Sequence, residues 1–426
     1  MNKTLHTRRQ FLRTSMLGGA VSWTIPAFLE RTFFSLDALA ADATLATGKD
    51  APILVVLQLA GGNDGLNTLV PFADDAYFRA RPSLAIKAPL KISDAVGLHP
   101  KLTGLRGMYD DGHLAIVQGV GYPNPNRSHF RSTEIWQTAS DANKTESHGW
   151  IGRYFDACCQ GADPAVGVSI GSQTPQAFAA AEPRGISFAK PEQFRFAAEK
   201  TSDPAAADEF FRSVNEANDG GSIDMLQGPA SGGGDTMDFL RRTALDAQMS
   251  SDKVLAITRK SRAPVTYPPG NLASSLNLIA RLIGGAMPTR VYYASLGGFD
   301  THSNQAGSHE RLMGELDAAL MAFTADLKAQ GNFERVALMT FSEFGRRVAE
   351  NGSGGTDHGA AAPLFVLGGA VRPGLYGKAP SLQNIHDGDL IHNVDFRSVY
   401  ASLLANWLQV PVEPILHRPF PTIGII

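Results

Sequence analysis

Three short loops carry side chains of the kind that bind divalent cations. In one glycine-rich loop Asp357 is followed directly by His358, in a second Asp300 and His302 stand two residues apart, and a third holds Asp64. Two side chains at positions i and i+2 of an extended segment point to the same side. A mixture of carboxylate oxygens and imidazole nitrogens without a thiolate suits zinc, manganese or iron. These residues therefore predict a centre for one or two divalent metal ions.

Apolar segments next to these loops predict the strands that position them. The segments are Ile53–Leu59, Leu114–Gly121, Val291–Leu296, Arg335–Phe341 and Leu364–Gly368. Uninterrupted apolar runs of this length are typical of parallel strands that are buried on both faces. Between the third and fourth runs, Leu312, Leu316 and Leu320 recur at helical spacing in the predicted helix Ser308–Ala329, which indicates a βαβ unit. Open α/β sheets bind ligands at the carboxyl ends of such strands.

Two further strand ends add candidates. Glu343 follows the fourth apolar run and is a sixth candidate metal ligand. A turn after the second run leads to a predicted helix start, where the free N–H groups and the helix dipole favour negative charge. A hydroxyl in that field is polarised, so Ser128 is the predicted nucleophile and Ser132 the second choice. The alternatives are that Ser128 only caps the helix and that Glu343 only pairs with Arg346 or Arg347.

Composition excludes some classes of function. The chain has 426 residues, of which 43% are hydrophobic, and this is enough for a large core. Its net charge of -3 gives no basic field for a nucleic-acid partner, so none is expected. Beyond the amino-terminal segment, no run is long and apolar enough to predict a transmembrane span.

The amino terminus has the pattern of an export signal. Arg8-Arg9 precede Phe11-Leu12, a mildly apolar run follows from 16 to 28, and Ala38-Leu39-Ala40 supplies small residues for cleavage. Basic, apolar and small regions in this order indicate a secretory peptide, and the paired arginines resemble a twin-arginine signal. We therefore predict a signal peptide over 1–40, the twin-arginine export machinery as a partner and a periplasmic or otherwise exported protein. The rest, 41–426, is predicted to be one α/β domain, with a helical or cap region at about 160–285.

Four motifs together resemble an exported family of unknown function, numbered fifteen-oh-one. The motifs are Gly62-Asn63-Asp64-Gly65-Leu66-Asn67-Thr68, Gly298-Phe299-Asp300-Thr301-His302, Ser342-Glu343-Phe344-Gly345-Arg346 and Gly355-Thr356-Asp357-His358-Gly359. That family is similar in layout to the alkaline phosphatase, sulfatase and phosphoglycerate mutase superfamily. The resemblance implies a three-layer α/β/α sandwich around a mostly parallel, alkaline-phosphatase-like sheet.

The resemblance also implies roles for single residues. Asp64 resembles the first metal-binding aspartate of the superfamily. Asp357 and His358 resemble its adjacent pair, in which the two residues commonly serve different metals. Asp300 and His302 resemble the preceding Asp and His, although the superfamily usually spaces these further apart. Candidates for a late histidine ligand are His386 and His392. Neither cysteine lies in a sulfatase signature, so formylglycine chemistry is not expected.

The favoured hypothesis is an exported metal-dependent hydrolase that acts on phosphate or sulfate esters of a small molecule or a polymer. Ser128 would attack the ester, and Arg346 or Arg127 would hold its anionic group. One alternative is a non-catalytic binding or assembly protein of the cell envelope on the same fold. Another is a metal-dependent phosphate mutase.

Overall fold

The computed structural model describes residues 51–160, 162–181, 185–193, 250–261 and 263–426. The predicted signal peptide lies outside these ranges, and so does much of the predicted cap region, including all of 194–249. Within the described ranges, no helix is both long enough and apolar enough to cross a membrane.

The strands in the described part are short to medium in length. They are β1 Ile53–Ala60, β2 Leu69–Val70, β3 Leu90–Lys91, β4 Gly97–Leu98, β5 Leu114–Gly121, β6 Gly167–Ile170, β7 Ile186–Phe188, β8 Val291–Gly297, β9 Val336–Phe341, β10 Ala362–Gly368, β11 Gly374–Tyr376, β12 Ile385–His386, β13 Asp389–Leu390 and β14 Val394–Asp395. Each of the five predicted strands is present, within about two residues of the predicted bounds.

The α-helices of the described part lie between these strands. They are α1 Gly65–Thr68, α2 Asp75–Ala80, α3 Thr103–Asp110, α4 His129–Thr138, α5 Trp150–Cys158, α6 Asn271–Gly284, α7 Gln305–Ala329, α8 Phe396–Ser402 and α9 Glu413–Leu416. Residues 250–260 are also helical. A π-helical turn, Leu403–Trp407, continues α8.

One sheet organises the chain, in the order β11-β5-β10-β9-β1-β8-β6-β7, with β14 beside β5. β1 pairs in parallel with both β8 and β9, so the predicted βαβ unit β8-α7-β9 spans β1. β10 is antiparallel to both of its neighbours, β9 and β5, whereas the other pairs of this sheet are parallel. The carboxyl ends of β1, β5, β8 and β9 therefore open at the same edge as the amino end of β10.

Helices cover both faces of this sheet. Along β1, Ile53, Val55 and Leu57 belong to a core shared with α3, α6 and α7. Leu54 and Val56 alternate with them and belong to a second core, shared with α4, α5 and α8. This alternation is the period of two of a strand that is buried on both sides. The predicted α/β class and three-layer sandwich around a mostly parallel sheet are confirmed.

The described parts of the predicted cap region join the main body. β6 and β7 extend the central sheet, and α6 contributes Leu272, Leu276 and Ile279 to the core beneath it. The stretch 72–100 contains α2, β3 and β4, and these two strands form a small antiparallel sheet with β2.

Two histidines are buried under the loop that follows β1. The ring of His309 lies 5.4 Å from the ring of His99, and its Nε2 lies 3.1 Å from Asn63 Oδ1. Burial lowers the pKa of both imidazoles from 6.5 to about 4. Both are therefore neutral in the folded protein at neutral pH.

The buried histidines make stability depend on pH. As the pH falls below 6.5, the unfolded chain takes up protons at His99 and His309, which the folded chain accepts only near pH 4. The free energy of unfolding should therefore decrease as the pH is lowered from 6.5 to about 4. His309→Asn should reduce that slope by up to about 1.4 kcal/mol per pH unit. Urea unfolding at several pH values measures the slope of the unfolding free energy against pH. His386 is exposed, so His386→Asn is the control variant and should keep the wild-type slope. Equal slopes in the wild type, His309→Asn and His386→Asn would contradict the prediction.

Candidate metal centre

The sheet edge described above brings four ligand-type side chains together. Asp300 and His302 lie in the loop after β8, His358 in the loop before β10, and His129 at the start of α4, after β5. One ligand atom from each of His129, Asp300 and His358 lies within 4.8 Å of the other two. These three residues can hold a metal ion.

The Nε2 atoms of three imidazoles surround the carboxylate of Asp300. Those of His302 and His358 each lie 3.1 Å from Asp300 Oδ1 and 2.9 Å from one another. His129 Nε2 lies 3.4 Å from Asp300 Oδ2. It is buried and has no hydrogen-bond partner.

Each of these imidazoles has an acceptor at its other nitrogen. His129 Nδ1 lies 2.9 Å from Glu343 Oε1, His358 Nδ1 lies 2.8 Å from the carbonyl oxygen of Arg127, and His302 Nδ1 lies 3.2 Å from Asp357 Oδ1. An acceptor at Nδ1 places the proton there and leaves the Nε2 lone pair free. Metal-binding histidines commonly have such carboxylate or carbonyl partners.

The donor set fits a cation. Two lone pairs that face each other across 2.9 Å repel unless a proton or a metal ion lies between them. Ligands about 2.0–2.1 Å from a common zinc-like ion stand about 2.9–3.4 Å apart when the angle at the ion is about 90–110°. The separations of Asp300 from each imidazole and of His302 from His358, 2.9 to 3.4 Å, fall in that range. The three ligand atoms that all lie within 4.8 Å of one another are those of His129, Asp300 and His358. Imidazole and carboxylate ligands together suit zinc or a similar divalent ion.

Asp300 is held as an anion. Burial acts to raise the pKa of this carboxyl, but the hydrogen bond and charge of Arg346, together with the imidazoles of His358 and His129, outweigh it and lower the pKa to about 2. A carboxylate that is ionised over the whole neutral range is available as a ligand without losing a proton.

Arg346, predicted to hold the substrate anion, instead ties the loops together. Its side chain is fully buried and donates to the carbonyl oxygens of Gly61, Gly62, Phe299 and Thr356, and to Asp300 Oδ1 at 2.9 Å. These acceptors belong to the loop after β1, the loop after β8 and the loop before β10. Because its donors are engaged inside the protein, Arg346 positions Asp300 and is not free to bind a substrate.

Two glycines let the ligand-bearing loops approach closely. A Cβ atom on Gly355 would lie 2.2 Å from the carbonyl carbon of His302, and one on Gly359 would lie 2.4 Å from that of Arg346. Any larger residue at either position would push the loop before β10 away from its neighbours. The glycines of this motif therefore set the distance between His302 and His358.

Asp64, predicted as a metal ligand, belongs to a buried network instead. Its Oδ2 lies 2.5 Å from Arg81 NH1 and also accepts from Gln305 Nε2, while its Oδ1 accepts from the backbone N–H groups of Leu66 and Asn67 as the cap of α1. Burial acts to raise its pKa, but Arg81 and the hydrogen bonds lower it. Arg81 thus supplies the positive charge that the sequence analysis assigns to a metal ion.

Two predicted ligands lie one contact away from the cluster. Asp357 accepts from Asn351 Nδ2 at 3.2 Å, and its Oδ1 faces the Nδ1 of His302. Glu343 is buried and bonds to the Nδ1 of His129 and to the N–H of Gly61. Both therefore orient histidines, a role that the sequence analysis did not consider.

The predicted nucleophiles differ in access. Ser128 is exposed, directly precedes His129 and makes no capping hydrogen bond with α4. Ser132 is buried, and its hydroxyl bonds to Tyr122 and to the carbonyl oxygen of Glu343. Ser132 therefore joins α4 to the loop after β9.

His129 is the member of the cluster that the sequence analysis missed. It lies at the start of α4, just past the buried strand β5, and the predicted ligands also lie next to strand ends. In this segment only the two hydroxyl groups and Arg127 are candidates from the sequence. The predicted late histidines lie elsewhere. His386 is exposed and faces Asp387 on the β12–β13 hairpin, and His392 lies beside Gly121.

The cluster predicts which substitutions remove metal. His129→Ala should lower the metal content of the purified protein at least tenfold, because it removes one of the three ligand atoms that lie within 4.8 Å of one another, and Glu343→Gln should weaken metal affinity about 10- to 100-fold. Elemental analysis and competition with a chelator measure both effects. His386→Ala should bind metal as the wild type does. Unchanged metal binding in His129→Ala would exclude this site.

The Asp64–Arg81 pair predicts a large effect on stability. Arg81→Met leaves a fully buried carboxylate without its cation and should cost about 3–5 kcal/mol in the free energy of unfolding. Arg311→Met, which removes an exposed partner of Glu315 on α7, should change it by less than about 1 kcal/mol. Equal losses of stability in urea unfolding of the two variants would contradict the assignment of Asp64 to a structural network.

Comparison with solved structures finds similar chains at low identity. A lipoteichoic acid synthase from Listeria monocytogenes is 11% identical, with 83% of this chain and 80% of that chain covered and a TM-score of 0.36. A protein in the alkaline phosphatase superfamily from Vibrio parahaemolyticus is 9% identical, with 94% of this chain and 81% of that chain covered and a TM-score of 0.36. A sulfatase from Pseudoalteromonas sp. is 11% identical, with 92% of this chain and 75% of that chain covered and a TM-score of 0.35.

A search of curated protein sequences finds no match. A family model described as "Protein of unknown function (DUF1501)" matches residues 51–410, which include all four motifs of the sequence analysis. That match covers most of the chain and confirms the predicted resemblance. The chain belongs to the DUF1501 family.

Proposed function

We propose that this protein is a metal-dependent hydrolase of phosphate or sulfate esters. The observation that carries the proposal is the convergence of three imidazole Nε2 atoms on Asp300, with the Nδ1 of each imidazole facing an acceptor. The residues that would hold the ion are His129, Asp300 and His358, and the Nε2 of His302 lies beside the last two. A divalent ion bound there would neutralise charge on the ester and polarise the attacking oxygen.

Two arginines beside the cluster suit the anionic group of an ester. Arg127 donates Nε and NH2 to Asp389 Oδ2 at 2.8 and 2.5 Å, and Arg347 Nε lies 3.8 Å from Asp389 Oδ1. Asp389 is nearly buried, whereas both arginines are more than a third exposed. The carboxylate of Asp389 lies between the two guanidinium groups, and those of Asp357 and Asp387 are close enough to interact with Arg347 and Asp389, respectively. In this proposal Arg127 and Arg347 take the role that the buried Arg346 cannot fill.

These arginines are fixed relative to the cluster by the backbone. The carbonyl oxygen of Arg127 accepts from His358 Nδ1, and the N–H of Arg347 donates to the carbonyl oxygen of Asp357 at 3.0 Å. The same short segments therefore carry the cluster and the cationic side chains. An anion held by Arg127 or Arg347 would lie beside the ligand-bearing loops.

Ser128 is the proposed nucleophile because it is exposed and adjacent to His129. Its Oγ would form a bond to phosphorus or sulfur as the bond to the leaving oxygen breaks, and the hydroxyl proton would pass through solvent to that oxygen, so that an alcohol leaves. Water would then cleave the Ser128 ester, releasing phosphate or sulfate and restoring the hydroxyl.

We also propose that the protein is exported through the twin-arginine pathway, because of the residue pattern of 1–40.

A second candidate is a non-catalytic binding protein of the cell envelope. It is favoured by the surroundings of Ser128: its N–H donates to Asn126 Oδ1 and its carbonyl oxygen accepts from the N–H of Ser132, but its hydroxyl has no hydrogen-bond partner among the described residues. A hydroxyl nucleophile normally has a base or a metal to activate it. On this alternative the metal would serve structure, and ligand binding would survive its removal.

Activity measurements separate the two candidates. Zinc- or manganese-loaded protein should hydrolyse p-nitrophenyl phosphate or p-nitrophenyl sulfate, and Ser128→Ala should lower kcat at least about 10³-fold with unchanged metal content. Arg347→Gln should raise KM about tenfold or more, because the charged contact with the anionic group of the ester is lost. Arg372 is exposed and serves as the control, so Arg372→Gln should leave KM unchanged. No turnover of either ester by the metal-loaded wild type would favour the binding protein.

A further inference from the structure

Two arginines of the candidate site are bound to carboxylates of the same chain. Arg346 donates to Asp300 Oδ1 at 2.9 Å. Arg127 donates Nε and NH2 to Asp389 Oδ2 at 2.8 and 2.5 Å. The side chain of Asp389 is only 4% exposed, so solvent screens this ion pair weakly. Neither guanidinium group therefore supplies a positive charge that the chain has not already balanced.

The neighbouring arginines are balanced as well. Arg347 lies between two carboxylates, since its Nε is 3.8 Å from Asp389 Oδ1 and its charge interacts with that of Asp357. Arg131, in the first turn of α4, pairs with Glu134 at 2.7 Å. The arginines on the segments that carry the cluster thus provide no excess of positive charge.

Two carboxylates beside these groups form no ion pair with an arginine or lysine of the described ranges. Glu343 is buried and bonds to the Nδ1 of His129 and to the N–H of Gly61. Asp387 is 71% exposed on the turn of the β12–β13 hairpin, and its charge acts on Asp389. A divalent ion at the cluster would balance these two charges. Because solvent screens the exposed Asp387, the loaded site would be neutral or carry a single positive charge.

This balance of charge suits one class of ester better than another. At neutral pH a phosphate monoester carries a charge of about -1.5 to -2, as a phosphorylated side chain does. A sulfate monoester or a phosphate diester carries a single negative charge. A dianion would bring an excess of negative charge next to the carboxylates of Asp357 and Asp389, and like charges repel strongly where the surroundings are partly buried.

We infer that the site selects esters with a single negative charge, namely sulfate monoesters and phosphate diesters, and that Asp389 determines this selectivity. Its carboxylate lies between Arg127 and Arg347, the two cations proposed to meet the anionic group. A bound anion cannot displace this buried carboxylate without leaving its charge unpaired. The inference rests on the proposed function for the position of the anionic group, whereas the preference for one charge requires only binding.

Two anions of the same shape and different charge test the selectivity. At mildly alkaline pH methanesulfonate is a monoanion and methylphosphonate a dianion, and neither has an ester bond to cleave. In isothermal titration calorimetry the metal-loaded full chain should bind methanesulfonate at least as tightly as methylphosphonate. Asp389→Asn removes one negative charge from between the arginines, so it should raise the affinity for methylphosphonate about tenfold relative to that for methanesulfonate.

Two further variants separate a local effect of charge from a general one. Asp387→Asn changes an exposed residue with a φ of 50°, which asparagine tolerates, and should shift the ratio of the two affinities by less than about threefold. Asp111→Asn removes the same charge from the exposed end of α3, before the amino end of β5 and thus at the opposite edge of the sheet. This variant should leave the ratio unchanged.

Three results would overturn the inference. They are tighter binding of methylphosphonate than of methanesulfonate by the wild type, an unchanged ratio in Asp389→Asn, and no binding of either anion. If Asp389→Asn does not fold, the wild-type comparison and Asp387→Asn still decide between the outcomes.

Hydrolysis assays identify the ester separately from the binding test. Relative to the uncatalysed reaction, kcat/KM should be higher for p-nitrophenyl sulfate or bis(p-nitrophenyl) phosphate than for p-nitrophenyl phosphate, and the better of the first two identifies the substrate class. The highest value for p-nitrophenyl phosphate would retain the enzyme and reject the selectivity. Selective binding of methanesulfonate without turnover of any ester would retain the selectivity and reject the enzyme.

Discussion

The candidate centre depends on one buried guanidinium. Arg346 donates to carbonyl oxygens of three loops and to the carboxylate of Asp300, and its side chain has no exposed surface. A charged group so deep in the protein is stable only when every donor has a partner. The loops that supply those partners are therefore held at fixed distances. Asp300 receives its position from this contact, which is also the largest of the influences that lower the pKa of its carboxyl.

The direction of a single strand decides which loops meet. Parallel strands alone would bring together the loops after β1, β5, β8 and β9, each at a carboxyl end. Because β10 runs antiparallel between β5 and β9, the loop that precedes it opens at the same edge and places His358 among them. A parallel β10 would have put that loop at the opposite edge. The Asp357-His358 pair therefore lies at this edge because β10 is antiparallel to its neighbours.

The cluster is built in two layers of polar contacts. The inner layer consists of Nε2 atoms around one carboxylate, and the outer layer of the acceptors that fix each imidazole: Glu343, Asp357 and the carbonyl oxygen of Arg127. A separate network around Asp64, Arg81 and Gln305 lies in the interior. Gln305 also accepts from Thr301 and Thr356, so this network connects the loop after β8 with the loop before β10. The acidic residues of these loops therefore have three roles: Asp300 is a candidate ligand, Glu343 and Asp357 orient histidines, and Asp64 belongs to the buried network.

The family, the α/β class and five principal strands can be predicted from the sequence alone, because buried parallel strands and their glycine-rich loops leave strong local patterns. The same patterns place Asp300, His302 and His358 in one region. What each polar residue does depends on the tertiary structure. Asp64 and Arg346 have the residue types of a ligand and a substrate-binding group, yet burial and their partners commit them to the interior. His129 carries no motif and joins the cluster only because β5 lies beside β10. Such roles depend on which loops share an edge and on which donors find buried partners, and both are set by contacts between residues far apart in the chain.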